Sequence, residues 1–342
     1  IRTLDLAFNT LAIVAILNVN GAVMMAVGVP QVGSVFMLAA CLVLLSRLAG
    51  TRMPWPDIAL ISSVLLYLVL ATFYAGMRGN PQATALLLIA YVISVLMLWA
   101  MSGYMARAVA RDEMAGVLAL IRNLLLAGSA TILLSPLLYG FFLTPPPSSD
   151  SRFGGFYGNP NEAGVIACCA TAFLLNVPFQ SRPLQLLCLF GVLLAALLTF
   201  SKTAWLVISV ISILYLLRRG MQNFFALFLL VALTVLLSLI GIPDMLRWVI
   251  ANPFFELDLV QVRRLEAIVV VLSGESAAGS ALTGRDQIWS VGLTMIEESP
   301  LIGHGLGSFH NLIGGLYEDG TWQGIHNVYL MFWGEAGLPA VL

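Results

Sequence analysis

The sequence predicts an all-α, polytopic transmembrane helical bundle with a large helical external loop. Three observations carry that prediction. First, 60% of the 342 residues are hydrophobic and 10% charged, with a mean hydropathy of +0.96. A soluble domain carries roughly 45–50% apolar and about 25% charged residues. So few charges cannot cover a water-facing surface, which excludes a soluble enzyme, a nucleic-acid binder and a disordered regulator. Second, apolar runs close to the length of a membrane crossing recur along the chain. Third, the basic residues fall in alternate connections between those runs.

Nine candidate spans precede residue 242, near 6–28, 31–47, 57–76, 83–103, 115–142, 161–178, 184–200, 203–217 and 222–241. The seventh and eighth are separated only by a tight turn at Ser201 and Lys202. Arg2, Arg47, Arg52, Arg107, Arg111, Arg122, Arg182, Arg218 and Arg219 fall on one side of this topology. Arg78, Arg152 and Lys202 fall on the other. Basic residues concentrate on the cytoplasmic side, so the N-terminus is expected there and the end of the ninth span outside. No charged segment leading into a short apolar core and a cleavage site is seen, so no signal peptide is expected. Cys41, Cys168, Cys169 and Cys188 lie in apolar runs without metal or disulfide spacing and are read as small apolar residues.

Residues 1–241 are thus expected to form the nine-span bundle, and 242–326 one external loop. From residue 242 onward there are 11 acidic residues against 4 arginines, whereas the first 241 residues hold 6 acidic and 12 basic ones. The loop contains two amphipathic stretches, Met245–Val260 and Arg285–Glu298, expected as helices on the outer membrane face. Residues 327–342 read as the start of a tenth span, about 16 residues long and too short to finish a crossing. Further C-terminal spans are expected beyond Leu342.

Polar chemistry gathers on the outer side. His304, His310 and His326 are spaced by six and sixteen residues, which gives no zinc-ligand motif. No metal or cofactor is expected. Gly284 permits a turn before a helix beginning near Arg285, and Pro300 with Gly303 ends it. Gly303, Gly305 and Gly307 read as a flexible loop, with no preceding strand to make it a phosphate loop. His326 stands just before an apolar run, where an imidazole either is simply solvated or acts as a general base. Asn159 and Asn161 flank Pro160 before the sixth span. They suit a helix cap, or a helix N-terminus facing an anion or sugar. Lys202, the only lysine, either snorkels at a span end or meets a lipid pyrophosphate with Arg285 and Arg78 or Arg152.

Gly158-Asn159-Pro160-Asn161, Ser201-Lys202-Thr203-Ala204-Trp205, Gly284-Arg285-x-x-x-Trp289, Pro300-Leu301-x-Gly303-x-Gly305-x-x-x-Phe309 and His326-Asn327-x-Tyr329-Leu330 follow one another in that order. The set resembles the O-antigen ligase/polymerase superfamily of bacterial inner membranes, over residues from about 153 to 342. The first 150 residues agree in hydropathy only. The resemblance implies an inverting, metal-independent glycosyltransferase. It would take a glycan from undecaprenyl pyrophosphate on the periplasmic face and pass it to lipid A–core or to another lipid-linked glycan. It implies His326 and Arg285 as catalytic residues, and Lys202 in place of a more usual arginine. Lys202, Arg285, Arg152, Asn159 and Asn161 are the expected pyrophosphate and glycan contacts. The partners are the lipid-linked donor, the acceptor and membrane lipids, with no nucleic acid. A polysaccharide or lipid-linked glycan transporter or flippase is the rival class. It would be expected to carry ionisable groups inside its spans or broken helices near the midplane.

Overall fold

In the computed structural model the described residues are 2–28, 32–48, 55–78, 81–143, 153–157, 159–199, 201–218, 242–252, 262, 265, 266, 269, 285–308 and 327–341. All regular structure among them is helical. The α-helices are α1 (Arg2–Ile16), α2 (Val19–Val27), α3 (Val32–Leu48), α4 (Trp55–Arg78), α5 (Pro81–Ala110), α6 (Met114–Leu133) and α7 (Ser135–Phe141). Then follow α8 (Pro160–Asn176), α9 (Arg182–Leu198), α10 (Lys202–Arg218), α11 (Ile242–Ala251), α12 (Arg285–Glu298) and α13 (Val328–Ala336). A 3-10 turn, Leu338–Ala340, closes the chain. The expected ninth span, 222–241, lies outside the described residues.

By length and composition, two helical stretches among the described residues suffice to cross a membrane, Tyr91–Ala110 and Met114–Leu133. The pair Thr3–Ile16 and Val19–Val27 makes a third if it is one span, bent by 60°. The expected number of crossings is not reached on that criterion. One reason is length: α8, α9 and α10 have 17 residues each, about 26 Å at 1.5 Å per residue, against a hydrocarbon core of about 30 Å. The expected fifth span, 115–142, ends early because Leu134 breaks it into α6 and α7, with Pro136 at the start of α7.

The chain forms two compact units, residues 1–40 with 108–277 and residues 41–107 with 278–342. In the first, α6, α8 and α9 pack on one another, and α10 packs on α8. Small residues make these contacts close. Ala163, Ala167, Ala170, Ala195 and Ala196 are buried, and a methyl group on Gly164 would lie 2.9 Å from the Ala204 side chain and 3.1 Å from that of Ser201. Such residues let helix backbones approach where lipid offers no hydrophobic drive. Two of the cysteines, Cys41 and Cys168, are buried as expected, whereas Cys169 is exposed.

The break between α1 and α2 is built into this unit. Asn18 adopts a left-handed backbone conformation (φ 47°) and caps α2 by accepting from Gly21 N–H. Its amide donates to Phe156 O at 3.2 Å, and the Tyr157 hydroxyl donates to Ile16 O at 2.7 Å. The Ile16 carbonyl at the bend and the Asn18 side chain are thereby both bonded to the 153–157 segment.

Arg122, assigned to a cytoplasmic connection, instead lies within α6 and is buried. Its guanidinium donates to Val177 O and Pro178 O at 3.1 and 3.3 Å, just past the C-terminus of α8, and stacks 3.7 Å over the Phe179 ring. A cation there satisfies carbonyls that the helix itself cannot. Arg122→Met is expected to cost about 1–3 kcal/mol through those unpartnered carbonyls. Thermal unfolding of the detergent-solubilised protein checks this, and an unchanged midpoint would show the cap to be dispensable.

In the second unit, α13 packs on α4 and on α12. Its core joins Ile61, Tyr67, Leu68, Ala71 and Val95 to Leu306 and Ala336. Ile288 and Met295 of α12 pack with Leu330 and Met331 of α13.

Candidate functional site

Among the described residues, Asn159, Asn161, Lys202 and Arg285 of the sequence-predicted set stand at the N-terminal ends of helices. There, backbone N–H groups lack intrahelical acceptors and the helix dipole is positive. Asn159 is the N-cap of α8, its side-chain oxygen accepting from Asn161 N–H at 2.9 Å, with Pro160 in the first turn. The capping alternative for Asn159 is therefore what the structure shows. Asn161 follows in the first turn, half-buried. Lys202 is the first residue of α10. The turn before it is held by Thr199 and Ser201, both buried. Thr199 Oγ1 accepts from Ser201 N–H, and Ser201 Oγ accepts from Ala204 N–H, which caps α10. Trp205 Nε1–H donates to Ala196 O at 3.1 Å and ties α10 back to α9.

These two helix starts lie side by side. Gly164, one turn into α8, faces Ser201 and Ala204, and Cys168 Sγ reaches Ala204 O at 3.5 Å. Contacts thus advance along both helices together, so α8 and α10 run in the same direction. Asn159, Asn161 and Lys202 belong to one end of the first unit.

The second unit repeats the pattern. Arg285 is the first residue of α12, and Asn327 caps α13, its side-chain oxygen accepting from Tyr329 and Leu330 N–H at 3.1 and 3.2 Å. The C-terminal ends of α12 and α13 meet. Leu338 N–H and Trp333 Nε1–H both donate to Pro300 O at 2.9 Å, and His304 Nε2 contacts Met295 O at 2.7 Å. With the two helices packed along their lengths, their N-terminal ends point the same way. Arg285 and Asn327, the residue after His326, stand at that end. His326 itself and Arg152 lie outside the described residues, as do Gly284 and His310.

The glycine loop is a correction. It is expected to be flexible, yet the structure holds it firmly. Gly303, Gly305 and Gly307 adopt φ of 74°, 94° and 80°, a region that favours glycine, and all three are buried. His304 N–H donates to Gly334 O, Gly305 N–H to Glu335 O and Leu306 N–H to Ala71 O, each at 2.8 Å. A methyl group on Gly303 would lie 2.6 Å from backbone atoms of Glu335 and Gly337. The loop is cradled by α13 and α4, and its amides serve protein acceptors.

Sequence reasoning missed the residue at the centre of that cradle. Glu335 is 3% exposed. Its Oε2 accepts from the Tyr67 hydroxyl at 2.5 Å and its Oε1 from Gly307 N–H at 3.1 Å. The Tyr67 ring stacks at 4.2 Å on Phe332 and meets Tyr91 edge-on at 5.9 Å. The available signal was a single acid in the last apolar stretch, where ionisable groups are costly and mark function. Tyr67, inside an otherwise apolar helix, gave none. Thr72 Oγ1 and Ser308 Oγ are buried without a hydrogen-bond partner among the described residues. No group of three or more His, Cys, Asp or Glu side chains among those residues can hold a metal ion.

No curated protein and no solved structure matches the chain. A family model described as O-Antigen ligase does match, over residues 187–342. That segment begins within α9 and contains the start of α10, all of α12 and α13, and the cradled loop. It therefore carries Lys202, Arg285 and His326, while Asn159 and Asn161 precede it. Residues 187–342, with the motifs they carry, are thus similar to the O-antigen ligase family, and the described residues include apolar helices of crossing length.

Proposed function

We propose that the protein transfers a glycan from undecaprenyl pyrophosphate to an acceptor hydroxyl at the periplasmic face of the inner membrane. In this reading residues 1–241 form the nine-span bundle with the N-terminus in the cytoplasm, 242–326 the external loop and 327–342 the start of a tenth span. The observation that carries the reading is the pairing of helix starts. Asn159, Asn161 and Lys202 stand at one end of the first unit, and Arg285 and Asn327 at one end of the second. Helix N-termini bearing cations suit a pyrophosphate.

His326 takes the proton of the acceptor hydroxyl as its oxygen attacks the anomeric carbon from the face opposite the pyrophosphate. The C–O bond to the lipid pyrophosphate breaks, and configuration inverts. Arg285 and Lys202, with Arg152 and the amides near Asn159 and Asn161, stabilise the charge that develops on the leaving group. Pyrophosphate leaves readily, so neither a metal nor a separate general acid is required. The acceptor is lipid A–core for a ligase and a second lipid-linked repeat for an O-antigen or exopolysaccharide polymerase.

One feature favours transport, the 60° break between α1 and α2, since transporters use discontinuous helices at their binding sites. Here Tyr157 and Asn18 satisfy the groups around the break, so it reads as a structural joint.

The test is lipopolysaccharide analysis of a strain lacking the gene, complemented with the wild-type protein. Core-only lipopolysaccharide with polymer stranded on undecaprenyl pyrophosphate identifies a ligase. Core bearing one repeat identifies an O-antigen polymerase, and loss of exopolysaccharide alone a polymerase of that pathway. Accumulation of lipid-linked glycan on the cytoplasmic side would instead identify a flippase.

A further inference from the structure

We propose that Glu335 is a positioning residue for glycosyl transfer, its buried carboxylate clamping the 303–307 loop and so fixing the helices that carry Arg285 and follow His326. The inference rests on the function proposed above. A carboxylate surrounded by Tyr67, Leu306 and Ala336, all buried, is costly to maintain unless its oxygens are used. Both are used, one by Tyr67 of α4 and one by Gly307 of the loop. The loop in turn is bonded to α13 through Gly334 O and Glu335 O, to α4 through Ala71 O and to α12 through His304 and Met295. Glu335 thus sits where three helices and the loop are joined, at the C-terminal ends of α12 and α13.

The lever is long. α12 has 14 residues, about 21 Å, between this joint and Arg285. A tilt of about 5° at the joint moves the Arg285 end by roughly 2 Å, and misplacement by about 1 Å can cost 10²-fold in rate. A clamp that acts through geometry needs reach rather than charge. Glutamine keeps the reach. Its carbonyl faces Gly307 N–H, and its NH2 donates to the Tyr67 oxygen, which can accept. Aspartate keeps the charge but is one methylene shorter, so it loses one of the two partners.

The experiment compares Glu335→Gln, Glu335→Asp and Tyr67→Phe in the purified full chain. The readout is release of undecaprenyl pyrophosphate from the strain's own lipid-linked repeat unit, with membrane-derived acceptor. Glu335→Asp is expected to lower kcat at least ~10-fold with donor KM changed less than ~2-fold, while Glu335→Gln keeps about half the wild-type kcat. Tyr67→Phe, which retains the Gly307 contact, falls between them and serves if the aspartate variant does not accumulate. Amide exchange over 304–307 rises in Glu335→Asp and not in Glu335→Gln. A wild-type kcat in Glu335→Asp, or an inactive but folded Glu335→Gln, overturns the inference. A wild-type protein that releases no undecaprenyl pyrophosphate overturns the proposed function instead. Unchanged exchange in Glu335→Asp then still refutes the clamp by itself.

Discussion

Lys202→Ala and Arg285→Ala each lower transfer at saturating donor by about 10²–10³-fold, the scale of losing one preorganised partner of a developing charge. The expectation follows from where the two residues sit. Each opens a helix, so its charge adds to the unpaired N–H groups and the positive dipole end of the first turn. Lys202→Arg retains most of the activity, because the pyrophosphate needs a cation there and the guanidinium supplies one with an added bidentate option. Arg285→Lys is the harsher exchange if two phosphate oxygens are gripped together. Undecaprenyl pyrophosphate release by membranes with matched protein levels is the measurement. Normal transfer by Lys202→Ala would remove that residue from the site.

His326→Ala is expected to lower transfer by 10²–10⁴-fold, the usual contribution of a general base. The variant regains part of its rate with added imidazole. Asn327 supports this placement, since its cap fixes the first turn of α13 directly after His326. Asn327→Ala therefore lowers the rate less than His326→Ala. Full complementation of the deletion strain by a well-expressed His326→Ala protein would sink the catalytic histidine.

Hydropathy made the membrane class legible, and the punctuation of the chain made the helix starts legible. Asn159-Pro160 and the turn at Ser201-Lys202 are local signals, and each stands where a helix begins. What was not legible depended on partners distant in sequence. Gly303, Gly305 and Gly307 look loose by themselves, and only α13 and α4 make the loop rigid. Tyr67 and Glu335 are 268 residues apart, and nothing near either one announces the other. Arg122 reads from the sequence only as a basic residue of the cytoplasmic side, because its acceptors, Val177 O and Pro178 O, belong to another helix end. The expected number of crossings is not reached among the described residues for a different reason. Apolar runs counted by residue ignore breaks such as Asn18 and Leu134, which shorten the helices they contain.

The joint between α1 and α2 has a consequence for biogenesis. Asn18 and Ile16 wait for Phe156 and Tyr157, partners 138 and 141 residues downstream. At about 5–20 residues per second, the ribosome makes those partners on the order of ten seconds after the first helix emerges. During that interval the Asn18 side-chain amide and the Ile16 carbonyl lack these two partners, so the joint is complete only once the 153–157 segment has been made.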